Sequence, residues 1–195
     1  MTGRLIVVEG TDRCGKSTQC SLLLEWLMEV GKQAVLLKFP DRETSVGSII
    51  DEFLKSNEEV NPHAVHLLFS ANRWEKANKI TVLLERGVWV VCDRWSYSGV
   101  AYSTAAWGLD YEWCLRPDEG LPMPDLVLQI LVGPEMAAKR SGYGNERYEK
   151  IVLQAKILNA FAKIADQVPQ WRVIDGSSPV QEVFQQIKDL VCPLR

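Results

Sequence analysis

No apolar run in this chain approaches the roughly 20 residues that a membrane-spanning helix requires. Charge of one sign is also scarce. Lys and Arg number 22 against 25 Asp and Glu, a net charge of −3, so no strong basic field argues for a nucleic acid polymer or an anionic membrane as partner. The five cysteines, at positions 14, 20, 92, 114 and 192, form no C-x-x-C pair, and several sit in apolar runs. Reduced thiols in a cytosol-like compartment are the simplest reading, so a cytoplasmic location is expected. Met1-Thr2-Gly3-Arg4 leads directly into an apolar stretch, so no signal or transit peptide is expected. Repeats, linkers and low-complexity tracts are missing too. A length of 195 residues with 47% hydrophobic and 24% charged residues suits a single domain over 1–195.

What is present is concentrated in the run Gly10-Thr11-Asp12-Arg13-Cys14-Gly15-Lys16-Ser17. It fits the phosphate-loop pattern G-x-x-x-x-G-K-[ST], preceded by the apolar run Leu5-Ile6-Val7-Val8 and followed by a helix-like run with Leu22, Leu23, Leu24 and Leu27. Glycines let successive backbone N–H groups curl around an anion. Lys16 is placed to reach the outer phosphates, and Ser17 to offer a hydroxyl to Mg²⁺. Gly10, Cys14, Gly15 and Thr18 complete the expected ATP cradle.

Short apolar runs alternate with longer helix-like ones. Strands are expected at 4–9, 34–38, 88–92, 126–131 and 171–174, and helices at 16–30, 45–55, 62–86, 96–107, 134–140, 146–167 and 179–191. Nearly continuous apolar strands separated by helices imply an α/β fold with a five-stranded parallel sheet covered on both faces. Gly31 is expected to stop the first helix, Asn61-Pro62 to start the third, and Gly87 to end it. The Pro-rich stretch 117–124 reads as a connection. Ligands of open parallel sheets bind beyond the strand C-termini, so the segments from Gly10, Phe39 and Asp93 onward should converge on one cleft.

Further candidates surround the loop. Arg13, inside it, is suited to lie over a transferred phosphoryl group as an arginine finger supplied in cis. Asp93, at a strand end, suits Mg²⁺ directly or through water, and Arg94 presents a planar fork to a phosphate. Phe39-Pro40-Asp41-Arg42 follows the second strand; Arg42 is a second phosphate clamp, and the Phe39–Pro40 bond is a candidate cis peptide. Phe69 and Arg73 share a helical face, where ring and guanidinium can stack on and hydrogen-bond a base. Leu67, Leu68 and Trp74 are assigned to core or a subunit contact. Residues 139–148, with two glycines and several cations, read as a mobile lid that excludes water. Cys14, at a helix N-terminus beside Lys16, is a candidate reactive thiol.

Taken together, the stretches EGTDRCGKSTQ, KFPDR, VHLLFSANRWE, VVCDRWSYSGVAY, GLPMPDLVLQI and AKRSGYGNERYE closely resemble thymidylate kinases of the eukaryote and poxvirus type. Ile174-Asp175-Gly176-Ser177 matches a later loop. The resemblance implies a P-loop nucleoside monophosphate kinase fold, MgATP-dependent phosphorylation of dTMP to dTDP, and a homodimer. By motif it gives Lys16 and Ser17 to ATP phosphates and Mg²⁺, and makes Arg13 the catalytic arginine, helped by Lys16, Asp93 and Arg94. It implies that Asp12 accepts the nucleotide 3′-OH, that Arg42 and Arg94 hold the dTMP phosphate, and that Phe39 borders this side. Phe69 would stack on thymine and Arg73 donate to a thymine carbonyl, with Ser98, Gly99 and Tyr102 lining sugar and base. Tyr148 would crowd the 2′ position, Gln154 would sit near thymine, and Arg140, Asp175 and Gly176 would border adenine. Trp95 departs from the family's usual tyrosine.

Other readings stay open at this point. One is a kinase for uridylate, adenylate or deoxynucleosides; Phe69, Arg73 and Tyr148 discriminate it. Another is a P-loop regulatory switch, although no guanine-reading Asn-Lys-x-Asp motif is present. A third is a silent nucleotide-binding protein, against which Arg13, Lys16 and Asp93 argue.

Overall fold

The computed structural model describes residues 2–56, 58–140, 143–144 and 146–194. Of the lid expected at 139–148, Ser141, Gly142 and Asn145 lie outside the described residues. Five parallel strands form one sheet in the order β2-β3-β1-β4-β5. They are β1 (Leu5–Glu9), β2 (Ala34–Lys38), β3 (Trp89–Asp93), β4 (Leu126–Leu131) and β5 (Trp171–Asp175). The helices between them are α1 (Lys16–Glu29), α2 (Ser45–Lys55), α3 (Pro62–Glu85), α4 (Ser96–Trp107), α5 (Tyr111–Leu115), α6 (Pro134–Ala137), α7 (Ile151–Ala165) and α8 (Val180–Val191).

The apolar strand runs explain the layers. Leu5 and Val7 pack on one face with Ala77 and Ile80 of α3, Val100 of α4 and Phe161 of α7. Ile6 and Val8 pack on the other with Leu23 and Leu27 of α1 and Ile187 of α8. Period-two alternation therefore buries β1 on both sides. Each such buried aliphatic side chain stabilises the fold by about 1.5–3 kcal/mol. A smaller cluster, Ile50, Phe53, Leu54, Val65 and Tyr148, fixes α2 beside α3.

The helix punctuation works as the sequence implies. Asn61 Oδ1 accepts the N–H groups of His63 and Ala64, with Pro62 at the first position. Gly31 and Gly87 follow their helices with positive φ. Three elements differ from these expectations. The helix expected at 146–167 begins only at Ile151, because the Glu149 carboxylate takes the backbone N–H groups of Gly144 and Glu146 and holds a turn. The helix at 134–140 ends at Ala137. The segment before the Pro-rich stretch forms α5, capped by Asp110 Oδ1 on the Trp113 N–H, and a 3₁₀ turn over Arg116–Asp118.

Candidate active site

β1 ends in Glu9, the loop Gly10–Gly15 turns the chain, and α1 opens at Lys16. Gly10 has φ +143°, and a Cβ there would meet the Ile130 carbonyl oxygen at 2.6 Å and Cys14 Sγ at 2.8 Å, so the turn needs glycine. Arg13 lies in the left-handed region at φ 59°. A bulky residue there is strained, a cost of order 1–3 kcal/mol that functional loops tolerate. Lys16 is buried along its stem, and its Nζ donates to the Thr11 carbonyl at 2.6 Å. Cys14, the candidate reactive thiol, is only 2% exposed, with its Sγ 3.6 Å from Lys16 Nζ. Ser17 Oγ donates to Asp93 Oδ2 at 2.6 Å, joining the loop to the end of β3.

Arg94, next along, is the second left-handed arginine, at φ 72°. Its guanidinium donates to the Gly10 carbonyl, to Ser98 Oγ and to Asp12 Oδ1, and lies 5.1 Å from the Tyr102 ring centre. Asp12 also accepts from Tyr102 OH at 2.9 Å and from Gln154 Nε2 at 2.8 Å. Burial pushes the Asp12 carboxyl up, but Arg94, Lys16 and these hydrogen bonds outweigh it and hold it below the ordinary range. Burial alone would lower Arg94; Tyr102, Asp12, Asp93 and Glu9 reverse this and push it well up. Glu9, fully buried, accepts from the backbone N–H groups of Trp95 and Ser98 and from Ser98 Oγ, anchoring the turn that carries Arg94. Burial raises its carboxyl despite those bonds.

Arg13 and Arg42 also face carboxylates. Arg42 is held by Asp51 and Glu146, both at 2.7 Å. Arg13 Nε donates to Glu149 Oε1 at 2.8 Å. Arg140 donates to the Arg13 carbonyl at 2.7 Å and to the Gly176 carbonyl at 3.4 Å, so it ties the β5 end to the phosphate loop.

At the opposite end, Phe69 and Arg73 come from one face of α3. Arg73 is buried and forked onto Asp118, through Nε at 3.2 Å and Nη2 at 2.7 Å. Gly99 of α4 lets it in, since a Cβ would stand 2.8 Å from Arg73 Nη2. Tyr148 packs edge-on against Tyr102 at 5.3 Å and Trp107 at 5.9 Å. The Phe39–Pro40 bond is cis. Trp95 is buried edge-on to Phe39 at 4.8 Å, and its indole N–H donates to the Pro122 carbonyl.

One cavity of about 500 Å³ joins these ends. Its wall includes Asp12, Arg13, Gly15, Lys16, Ser17 and Thr18 from the loop, Phe39 and Arg42 after β2, and Asp93, Arg94, Ser98, Gly99 and Tyr102 after β3. Phe69, Arg73, Arg140 and Tyr148 complete it. Gly10, Cys14, Gln154, Asp175 and Gly176 are not on this wall. Gly10 and Cys14 are buried within the loop, Gln154 is fully buried between Asp12 and Tyr148, and Asp175 accepts from Ser177. The sequence reading missed Glu9, Ser103, Asp118, Glu146 and Glu149. A charged residue ending the apolar run of β1 was a usable sign for Glu9; the others carry none.

A hydroxyl and a carboxylate beside a phosphate loop are the hard oxygen donors that Mg²⁺ prefers. No group of three or more His, Cys, Asp or Glu side chains suited to a metal occurs among the described residues. A cation at Ser17 and Asp93 would thus draw most ligands from phosphate oxygens and water, which fits Mg²⁺.

A family model described as thymidylate kinase matches residues 8–187. The Schizosaccharomyces pombe thymidylate kinase is 49% identical over 193 residues, covering 97% of this chain and 91% of the relative. The Homo sapiens thymidylate kinase is 43% identical over 189 residues, covering 96% and 89%. A solved Candida albicans thymidylate kinase superposes with a TM-score of 0.91 at 38% identity, covering 98% of this chain and 92% of that one. With the family model spanning nearly the whole chain, the protein belongs to the thymidylate kinase family.

Proposed function

We propose that the chain, as one catalytic unit over 1–195, transfers the γ-phosphoryl group of ATP to a phosphate oxygen of dTMP, giving dTDP and ADP. The observation that carries this reading is a single cavity running from Gly15, Lys16 and Ser17 to Phe69 and Arg73. The phosphate loop with Thr18 cradles ATP, and Arg140, Asp175 and Gly176 border its adenine. Arg42 and Arg94 hold the acceptor phosphate, Phe69 stacks on thymine, and Arg73 donates to a thymine carbonyl. Asp12 takes the 3′-OH, and Tyr148 closes the 2′ side.

The attacking oxygen is already anionic, so no general base is required. Catalysis comes from in-line positioning and from charge neutralisation by Arg13, Lys16 and Arg94. Ser17 and Asp93 would hold Mg²⁺, which would neutralise phosphate charge as a Lewis acid. Glu9 keeps Arg94 aimed by fixing the turn it stands on. We also infer a homodimer, supported by Leu67 and Trp74 of α3, which remain 47% and 42% exposed. A cytoplasmic location is supported by five cysteines that are all free. No helix among the described residues is long and apolar enough to cross a membrane.

The test is MgATP turnover with dTMP, dUMP, UMP, dCMP and AMP, beside a control without acceptor. Fast ADP release with dTMP, weaker with dUMP and minimal with the others, is expected. Preference for a different monophosphate would overturn the base-pocket roles of Phe69, Arg73 and Tyr148 while leaving the phosphate chemistry intact. Turnover independent of any acceptor would overturn the transfer itself.

A further inference from the structure

The base end of the cavity contains a histidine that the roles above do not use. His66, on α3, is fully buried, and its two ring nitrogens meet partners of different kinds. Nε2 lies 3.0 Å from the Cys114 carbonyl oxygen, which can only accept. Nδ1 lies 2.8 Å from Ser103 Oγ, which can give or take a proton. A neutral imidazole carries one N–H. With that proton on Nδ1, the lone pairs of Nε2 and the carbonyl would oppose each other at 3.0 Å. The 3.0 Å contact with the Cys114 carbonyl assigns the proton to Nε2, and the Ser103 hydroxyl then donates into Nδ1. Burial and the Arg73 guanidinium lower the His66 pKa, against the Cys114 carbonyl, Asp118 and the Gly99 carbonyl, so the neutral ring is the relevant form.

Ser103 stands on the cavity wall. With its one hydrogen committed to His66, it offers the cavity only lone pairs. Gly99, one helical turn before it on α4, is the residue over which Arg73 packs. Arg73 supplies only N–H groups. A fixed donor thus lies beside a fixed acceptor, the complement of a base edge that shows a carbonyl and then an N–H.

We propose that His66 is a positioning residue for base selection: by taking the Ser103 proton it makes Ser103 an obligate acceptor for the N3–H of a 2,4-dioxopyrimidine. Cytosine, which presents a lone pair at N3, meets another lone pair there and is rejected. The inference rests on the thymidylate reading of this cavity, and its test separates the two.

The experiment compares kcat/KM for dTMP and dCMP in wild type, His66→Leu and His66→Asn, using inhibition constants where dCMP turnover is too slow. Leucine cannot accept the Ser103 proton, so the hydroxyl is free to donate to cytosine N3. The dTMP-over-dCMP preference should fall about tenfold or more, the scale of an unsatisfied buried polar group. Asparagine offers an amide oxygen near the Nδ1 position and should keep the preference within about threefold of wild type, less than the loss of one hydrogen bond. A His66→Leu enzyme that loses activity equally with both nucleotides and keeps the ratio overturns the proposal. Wild type that does not phosphorylate dTMP at all overturns the thymidylate reading instead. A readout independent of any His66 variant is the ¹⁵N spectrum of the ring nitrogens, simple because the chain has two histidines. The exposed His63 can be removed as His63→Gln for assignment. A bare Nδ1 and a protonated Nε2 on His66 are expected; a proton on Nδ1 of the neutral ring overturns the proposal even if the leucine variant fails to fold.

Discussion

The two ends of the cleft hold their arginines differently. At the phosphate end, the Arg13 and Arg42 side chains remain 37% and 35% exposed while paired with carboxylates. At the base end, Arg73 and Asp118 are 3% and 5% exposed, and the pair is forked. Where both partners are partly exposed, as in Arg42 with Asp51 and Glu146, a pair contributes about 0–1 kcal/mol and can be exchanged. Breaking a buried pair by removing one partner costs about 3–5 kcal/mol, so it stays made. The difference matches what each end must do. Phosphate groups arrive, change charge and leave, and beside the fixed Arg94 the more exposed Arg13 and Arg42 must let go of one anion to take another. A base is read by fixed donors and acceptors, and reading fails if these can rotate.

The largest effect should come from removing the exchangeable cation nearest the transfer. Arg13→Ala should lower kcat by about 10³-fold with little change in the dTMP KM, as for arginine fingers elsewhere. Steady-state kinetics decide this. A loss confined to KM would make Arg13 a binding group and remove the contrast at the phosphate end. The base end breaks differently. Asp118→Ala leaves Arg73 buried without its partner and should destabilise the fold by about 3 kcal/mol or more. Urea unfolding measures it, and the dTMP KM should rise more than kcat falls in the folded fraction. An unchanged unfolding midpoint would mean that Arg73 finds water or another anion, and that the base end is no more rigid than the other.

How much of this was legible in the sequence follows from the same contrast. The phosphate loop is one contiguous stretch whose strand and helix flanks are equally readable, so Lys16 and Ser17 could be named from spacing, and Asp93 from its place at a strand end beside that loop. The sheet was legible for a similar reason: runs such as Leu5-Ile6-Val7-Val8 are apolar on both faces. The base end is assembled from side chains remote in the chain. Arg73 and Asp118 are 45 residues apart, and Asp118 sits on a short turn that the composition presented as mere connection. Ser103 belongs to no motif, because its role depends on the nitrogen that faces it. The start of α7 was misplaced because Glu149, a good helix former, uses its carboxylate to hold a turn and to meet Arg13 instead.

The smallest predicted effect probes exchange directly. Glu146 Oε1 lies 2.7 Å from Arg42 Nη2, on the guanidinium proposed to hold the dTMP phosphate. The two acids compete for one cation, so the Glu146 contact lowers apparent dTMP affinity by whatever free energy the pair supplies. With both side chains about one-third exposed, that is at most about 1 kcal/mol. Glu146→Gln should therefore lower the dTMP KM by about two- to fivefold with kcat nearly unchanged, and the gain should shrink as added salt screens the pair. A rise in KM would mean that Glu146 assists the phosphate contact, for instance by holding Arg42 extended, and Arg42 would then belong with the fixed groups of the base end. Asp51, which also holds Arg42, supplies the control. Asp51→Asn removes the anchor on the other guanidinium nitrogen while leaving Glu146 in place, so a KM that falls in the Glu146 variant and rises in the Asp51 variant assigns competition to one carboxylate and orientation to the other.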